Sequence, residues 1–172
     1  MKPTGGYRTP RGVVNTLLVI ILAFLPAGAD AAKKGGTQGG FSVVTTRTIG
    51  SIYGGAGGDV VVSVCTVVRD KTKTSAVNIS YGKASGAMTM KEAAEAVKAL
   101  DAMCAAANKP AEGERLMSFD TGRGLGFGLL ETGGEQVMFI RIRGLPRSIF
   151  LPTYELGTMK KILRAALVRS AG

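Results

Sequence analysis

Histidine and tryptophan are absent from these 172 residues, and cysteine occurs only twice. The lack of histidine excludes Ser-His-Asp and Cys-His nucleophilic sites and removes the commonest metal ligand. Two cysteines are too sparse for a zinc site. Acidic residues number 12 against 22 basic ones. They are scattered: Asp59, Asp70, Asp101, Asp120, Glu131 and Glu135 are expected mostly at turns or on helix surfaces, with no pair spaced for acid/base work. No G-K-[ST] phosphate loop occurs. Ser118 and Ser148 leave room for a Ser-Lys dyad in an envelope hydrolase, but neither stands in a recognisable lysine context. The sequence therefore points away from an enzyme and implies neither cofactor nor metal.

The N-terminus is set aside from the fold. Residues 1–15, MKPTGGYRTPRGVVN, carry Lys2, Arg8 and Arg11 and no acidic residue. The apolar run Leu17–Leu25 follows, then PAGADAA. A positive start, a short apolar stretch and small residues at an A-x-A site make the secretory-signal pattern. Pro26, Gly28 and Asp30 interrupt the run well before the roughly 20 residues a spanning helix needs. Residues 1–31 are thus expected to be a cleaved signal peptide, with 32–40 a flexible glycine-rich leader and 41–172 a single domain. That placement, periplasmic or secreted, permits a disulfide between Cys65 and Cys104. Two buried thiols are the alternative. The Asn78-Ile79-Ser80 sequon matters only in a host that glycosylates exported proteins.

Within the domain the signals alternate between strands and helices. FSVVTTRTI, DVVVSVCTVV and SAVNISYG are rich in β-branched residues and separated by turn chemistry, which predicts an antiparallel meander. Thr89-Met90-Lys91-Glu92 is a capping box, with Met88 and Ala93 where a hydrophobic staple would sit. Ala93, Ala96, Val97, Leu100, Cys104 and Ala107 then recur on one helical face until Asn108, Lys109 and Pro110 end it. The second half repeats the plan: a hairpin about Thr132–Glu135, the run RSIFLP, and a helix from about Thr153 to Arg169. Its buried stripe is Leu156, Met159, Ile162, Leu163, Ala166 and Leu167. The expected fold is α+β in βββα-βββα order (41–109 and 113–170), one antiparallel sheet of about six strands with two helices on one face.

Gly122, Gly124, Gly126 and Gly128 alternate along TGRGLGFG and so share one face of a strand. The spacing admits no G-x-G-x-x-G fingerprint. Close packing against the alanine-rich first helix is the expected use, and a flat platform for a peptide or glycan is the alternative. An exposed Leu125, Phe127 and Leu129 on the other side would point to a homodimer. In VMFIRIRG, Met138, Ile140 and Ile142 make the better core face, leaving Arg141 and Arg143 outside. Arg123 and Arg147 are expected beside them, accompanied by Phe127 and Phe139 and extended by Lys160 and Lys161. Such a surface grips an anionic partner by charge-assisted hydrogen bonds.

The sequence thus predicts an exported, non-catalytic binding or structural protein, its partner an anionic envelope component or another protein. The repeated strands-then-helix order resembles PUR-type and whirly single-strand-binding domains, whose sheets face nucleic acid while the helices pack behind. That resemblance implies nucleic-acid binding if the N-terminal segment is not an export signal.

Overall fold

The computed structural model describes residues 42–69, 71–111 and 113–170; the predicted signal peptide and leader lie outside the described residues. The first half runs β1 (Ser42–Tyr53), β2 (Asp59–Arg69), β3 (Thr72–Tyr81), β4 (Ala84–Thr89) and α1 (Met90–Ala107). The second runs β5 (Arg115–Asp120), β6 (Leu125–Thr132), β7 (Glu135–Ile142), β8 (Ile149–Pro152) and α2 (Glu155–Ser170). Each half is a separate four-stranded antiparallel sheet with its strands in chain order.

The single six-stranded sheet and the βββα order are therefore corrected to two sheets of four and ββββα-ββββα. Both extra strands hide behind small residues. Gly82, with φ of +57°, lets the chain turn after β3, and Ala84-Ser85-Gly86-Ala87-Met88 then pairs with β3 despite its weak strand propensity. Packing explains why it does: Gly86 lies under Leu125 of β6, and a Cβ there would stand 3.0 Å from the leucine Cβ. Close approach of the two sheets needs that absent side chain. In the second half Gly122 and Gly124 have positive φ and form a turn that divides one expected run into β5 and β6.

One core joins the halves. Val62, Val77 and Met88 from the first sheet, Phe127 and Ile140 from the second, and the stripes of both helices belong to a single buried cluster. The predicted box caps α1: the Thr89 hydroxyl accepts from the Glu92 N–H, and the Thr89 N–H donates to Glu92 Oε2 at 2.7 Å. Met88 and Ala93 are both buried, as a staple requires. Met103 and Ala106 complete the buried face of α1, while Cys104 and Ala107 lie at its margin. On α2, Leu156, Met159, Leu163 and Ala166 are buried, with Ile162 and Leu167 partly covered. Gly50, beside a bulge in β1, makes room for Ile162.

Cys65 and Cys104 are free thiols. Alternation along β2 explains why the permitted disulfide does not form. Val60, Val62 and Val64 point into the core, so Cys65 points out of the sheet, where Thr46 Oγ1 lies 3.5 Å from its sulfur. Cys104 is on α1, which packs on the opposite, inner side. A sheet separates the two sulfurs.

Candidate functional site

Both helices pack inside, so the outer face of each sheet is left uncovered among the described residues. The two faces differ in chemistry. That of the first sheet carries short uncharged side chains, including Thr46, Thr48, Ser63, Asn78 and Ser80. It holds the sequon asparagine but no charge in its central rows. The outer face of the second sheet is apolar in the middle and charged at the ends.

Strand β7 shows why. Met138, Ile140 and Ile142 are buried, so Glu135, Val137, Phe139 and Arg141 project outward. On β8 the same alternation buries Ile149 and Leu151 and turns Phe150 out, 59% exposed. On β5 it turns Leu116 out, 63% exposed. Leu130, Val137 and Pro152 occupy the row of Leu116. Leu116 and Phe150 are thus the two prominently exposed apolar side chains of this face.

The glycine stripe sits on this same outer face. Gly126 and Gly128 do not meet the alanine helix, which corrects the expected close packing with α1. Instead, strand neighbours lie over them: a Cβ on Gly126 would meet Asp120 Oδ1 at 2.4 Å, and one on Gly128 would meet the Phe139 ring at 2.1 Å. Phe139 thereby lies flat and is only 7% exposed. Asp120 reaches Arg141, the carboxylate Oδ2 accepting from Nη2 at 3.0 Å. Phe127 is the other correction: it faces inward, fully buried and stacked with Phe119 at 6.5 Å between ring centroids, and cannot accompany the arginines. Leu125 and Leu129 are buried with it, so no dimer surface forms from them.

All four predicted arginines are exposed at one end of the second sheet. Arg141 ends the outward row of β7, and Arg143 follows it across Gly124, where a Cβ would touch its side chain at 2.7 Å. Arg123 lies in the β5–β6 turn, its N–H donating to Thr121 Oγ1. Arg147 lies in the β7–β8 loop, on the wall of an open groove shared with Gly54, Tyr81 and Phe150. Tyr81 is held there by its hydroxyl, which donates to the Gly54 carbonyl at 3.0 Å, and by Gly57, whose missing side chain leaves space for the ring. Arg143 and Arg147 make no ion pair among the described residues.

The terminal helix does not extend this surface. Lys160 and Arg164 converge instead on Asp101 of α1, each at 2.9 Å. The Lys160 hydrogen bond, with Arg164 adding to it, holds the Asp101 carboxyl below its usual pKa. These charges join the helices to each other.

At the other end of the sheet stands Glu131, one of the acids expected mostly at turns or on helix surfaces, but its side chain is only 1% exposed. It accepts hydrogen bonds from Arg115 and from Gln136 Nε2, which also donates to the Lys109 carbonyl. The Arg115 guanidinium holds the Glu131 carboxyl below the ordinary glutamate range, against the opposing effect of burial. Because its folded-state pKa is lowered, the pair's contribution is complete above the unfolded pKa and is lost as pH falls through the folded one. Thermal midpoints taken from neutral to acidic pH are expected to fall more steeply in the wild type than in Glu131→Gln; equal falls would remove Glu131 as a source of acid sensitivity.

No group of three or more His, Cys, Asp or Glu side chains that could hold a metal occurs among the described residues. No protein-family model, curated protein or solved structure matches the chain.

Proposed function

We propose that this chain is an exported, non-catalytic binding protein that takes an anionic partner at the arginine end of its second sheet. The observation that carries the reading is the grouping of four exposed guanidinium groups there. The segments at this end, residues 119–124 and 140–149, contribute one carboxylate against them, that of Asp120. Arginine suits this work because its planar fork donates two parallel hydrogen bonds to a carboxylate, sulfate or phosphate. The first sheet, with no charge in the middle of its outer face, offers nothing comparable. Export rests on the N-terminal pattern of charge, apolar run and small residues.

The test is retention on immobilised heparin and on vesicles of anionic lipid, with Arg123, Arg141, Arg143 and Arg147 all replaced by serine. Substitutions at exposed positions away from special features usually change stability by no more than about 0.5 kcal/mol, so the variant's thermal midpoint serves as the folding control. It is expected to elute at distinctly lower salt and to leave the vesicles. Unchanged retention would refute the arginine surface.

A second reading, nucleic-acid binding, is favoured by the open groove that Arg147 shares with Tyr81 and Phe150. Such a combination can hold a phosphate and stack a base. The mass of the mature N-terminus, together with tighter binding to a single-stranded oligonucleotide than to heparin, would decide for it.

A further inference from the structure

The outer face of the second sheet is polarised along its strands. At one end stand Glu135 and, just ahead of β5, Glu114, both exposed and without an ion pair among the described residues. In the middle are Leu116, Leu130, Val137, Phe150 and Pro152 around the flat ring of Phe139. At the far end are Arg141 and Arg143. Read outward along β7, the order is acid, valine, phenylalanine, arginine, arginine.

A surface ordered in this way is complementary to itself when turned end for end. Two copies related by a two-fold axis that lies between the facing sheets over Phe139, parallel to the sheets and perpendicular to β7, set each acidic end over the other's arginine end and close the apolar middle between them. Isologous pairing of one patch with itself is the commonest route to a homodimer, and two sheets can stack with their strands within about 30° of each other. Like charges meet nowhere along this central row. In the parallel arrangement they would meet at both ends.

We infer that a second copy of this chain docks on the outer face of the second sheet in this antiparallel sense, Glu135 of each protomer facing the Arg143 end of its partner. The inference rests on the reading of this face as the binding surface and gives the arginines a carboxylate counter-charge. A polyanion that takes the same arginines competes with the second copy.

Sedimentation equilibrium of the full chain at low ionic strength is expected to show a monomer–dimer equilibrium that weakens as salt rises. Phe150→Glu, at a side chain that is mostly exposed in the monomer, is expected to leave the thermal midpoint of the dilute protein unchanged and to abolish the dimer. Glu135→Arg and Arg143→Glu are each expected to weaken it about tenfold, since the two-fold axis doubles each change at the rim. Mixed in equal amounts, those two variants are expected to form a heterodimer at wild-type strength, because each then presents the charge the other lost. A chain that stays monomeric at every concentration overturns the inference, as does a dimer indifferent to Phe150→Glu or a mixture no stronger than its components. Heparin retention separates this from failure of the arginine reading: a monomer that still loses retention when its four arginines are replaced keeps the binding surface and loses only the second copy.

Discussion

Phe127→Ala is expected to lower the stability of this fold by about 3–5 kcal/mol, the range for removing a buried aromatic ring. Phe127 has no exposed surface and sits in the row Phe119, Phe127, Ile140, Ile149 on the inner side of the second sheet. It stacks on Phe119 with the ring planes 13° apart. Its neighbours are fixed on both sides by strand pairing, so they cannot close the space that the ring leaves. Against a typical total of about 5–15 kcal/mol for a single domain, the loss is a large fraction of the stability and brings the variant near unfolding if the wild type sits at the lower end of that range. Urea denaturation monitored by circular dichroism measures it, with Phe150→Ala as the control on the outer face. A Phe127→Ala protein within about 1 kcal/mol of the wild type would mean that the core is packed differently from this arrangement.

Gly128→Ala carries the second large effect, from a single methyl group. The added Cβ would lie 2.1 Å from two atoms of the Phe139 ring and 2.6 Å from the Met117 carbonyl oxygen. The ring can swing away, but only by leaving its seat and becoming exposed; the backbone oxygen is held by the β5–β6 pairing. Overpacking of this kind typically costs about 1–3 kcal/mol, and displacement of Phe139 adds to it. The corresponding change at Gly126 meets the tip of the Asp120 side chain at 2.4 Å and the Phe119 carbonyl at 2.9 Å. The carboxylate can rotate off at the expense of its bond to Arg141, so Gly126→Ala is expected to be the milder of the two. Thermal denaturation of both variants tests the ranking. If Gly128→Ala proves neutral, Phe139 does not lie over the glycine.

Part of this was legible before any coordinates. The Thr89–Glu92 box placed the first helix because a cap is a local device, written in four consecutive residues. Alternation along VMFIRIRG assigned Arg141 and Arg143 to the outside, since Met138, Ile140 and Ile142 make the better core face. The same alternation in SIFLP marks Phe150 as outward, a signal the sequence reading left unused. The burial of Glu131 was not legible, because what permits it, Arg115 and Gln136, comes from the two strands on either side of β6.

The glycine run shows where local reading fails. Four glycines at every second position look like one strand face, yet Gly122 and Gly124 make a turn and only Gly126 and Gly128 belong to a strand. Glycine is compatible with both, and its neighbours decide. The same holds for Ala84–Thr89, whose composition favours no element strongly. It became a strand because Gly86 lets the first sheet approach Leu125 of the second.

By itself the sequence determined the periodicities, and with them the helices, most of the strands and the outward-facing arginines of β7. Periodicity is a property of neighbouring residues, and it survives without a tertiary context. Only the tertiary structure decided that the strands divide into two sheets, that both helices lie inside, that Cys65 and Cys104 stand on opposite sides of a sheet, and that Gly126 and Gly128 lie on the outer side of their sheet, covered by Asp120 and Phe139. Those outcomes depend on which surfaces meet at a distance along the chain, and in a chain with this much glycine and alanine many meetings are sterically allowed. Burial of the shared core selects among them.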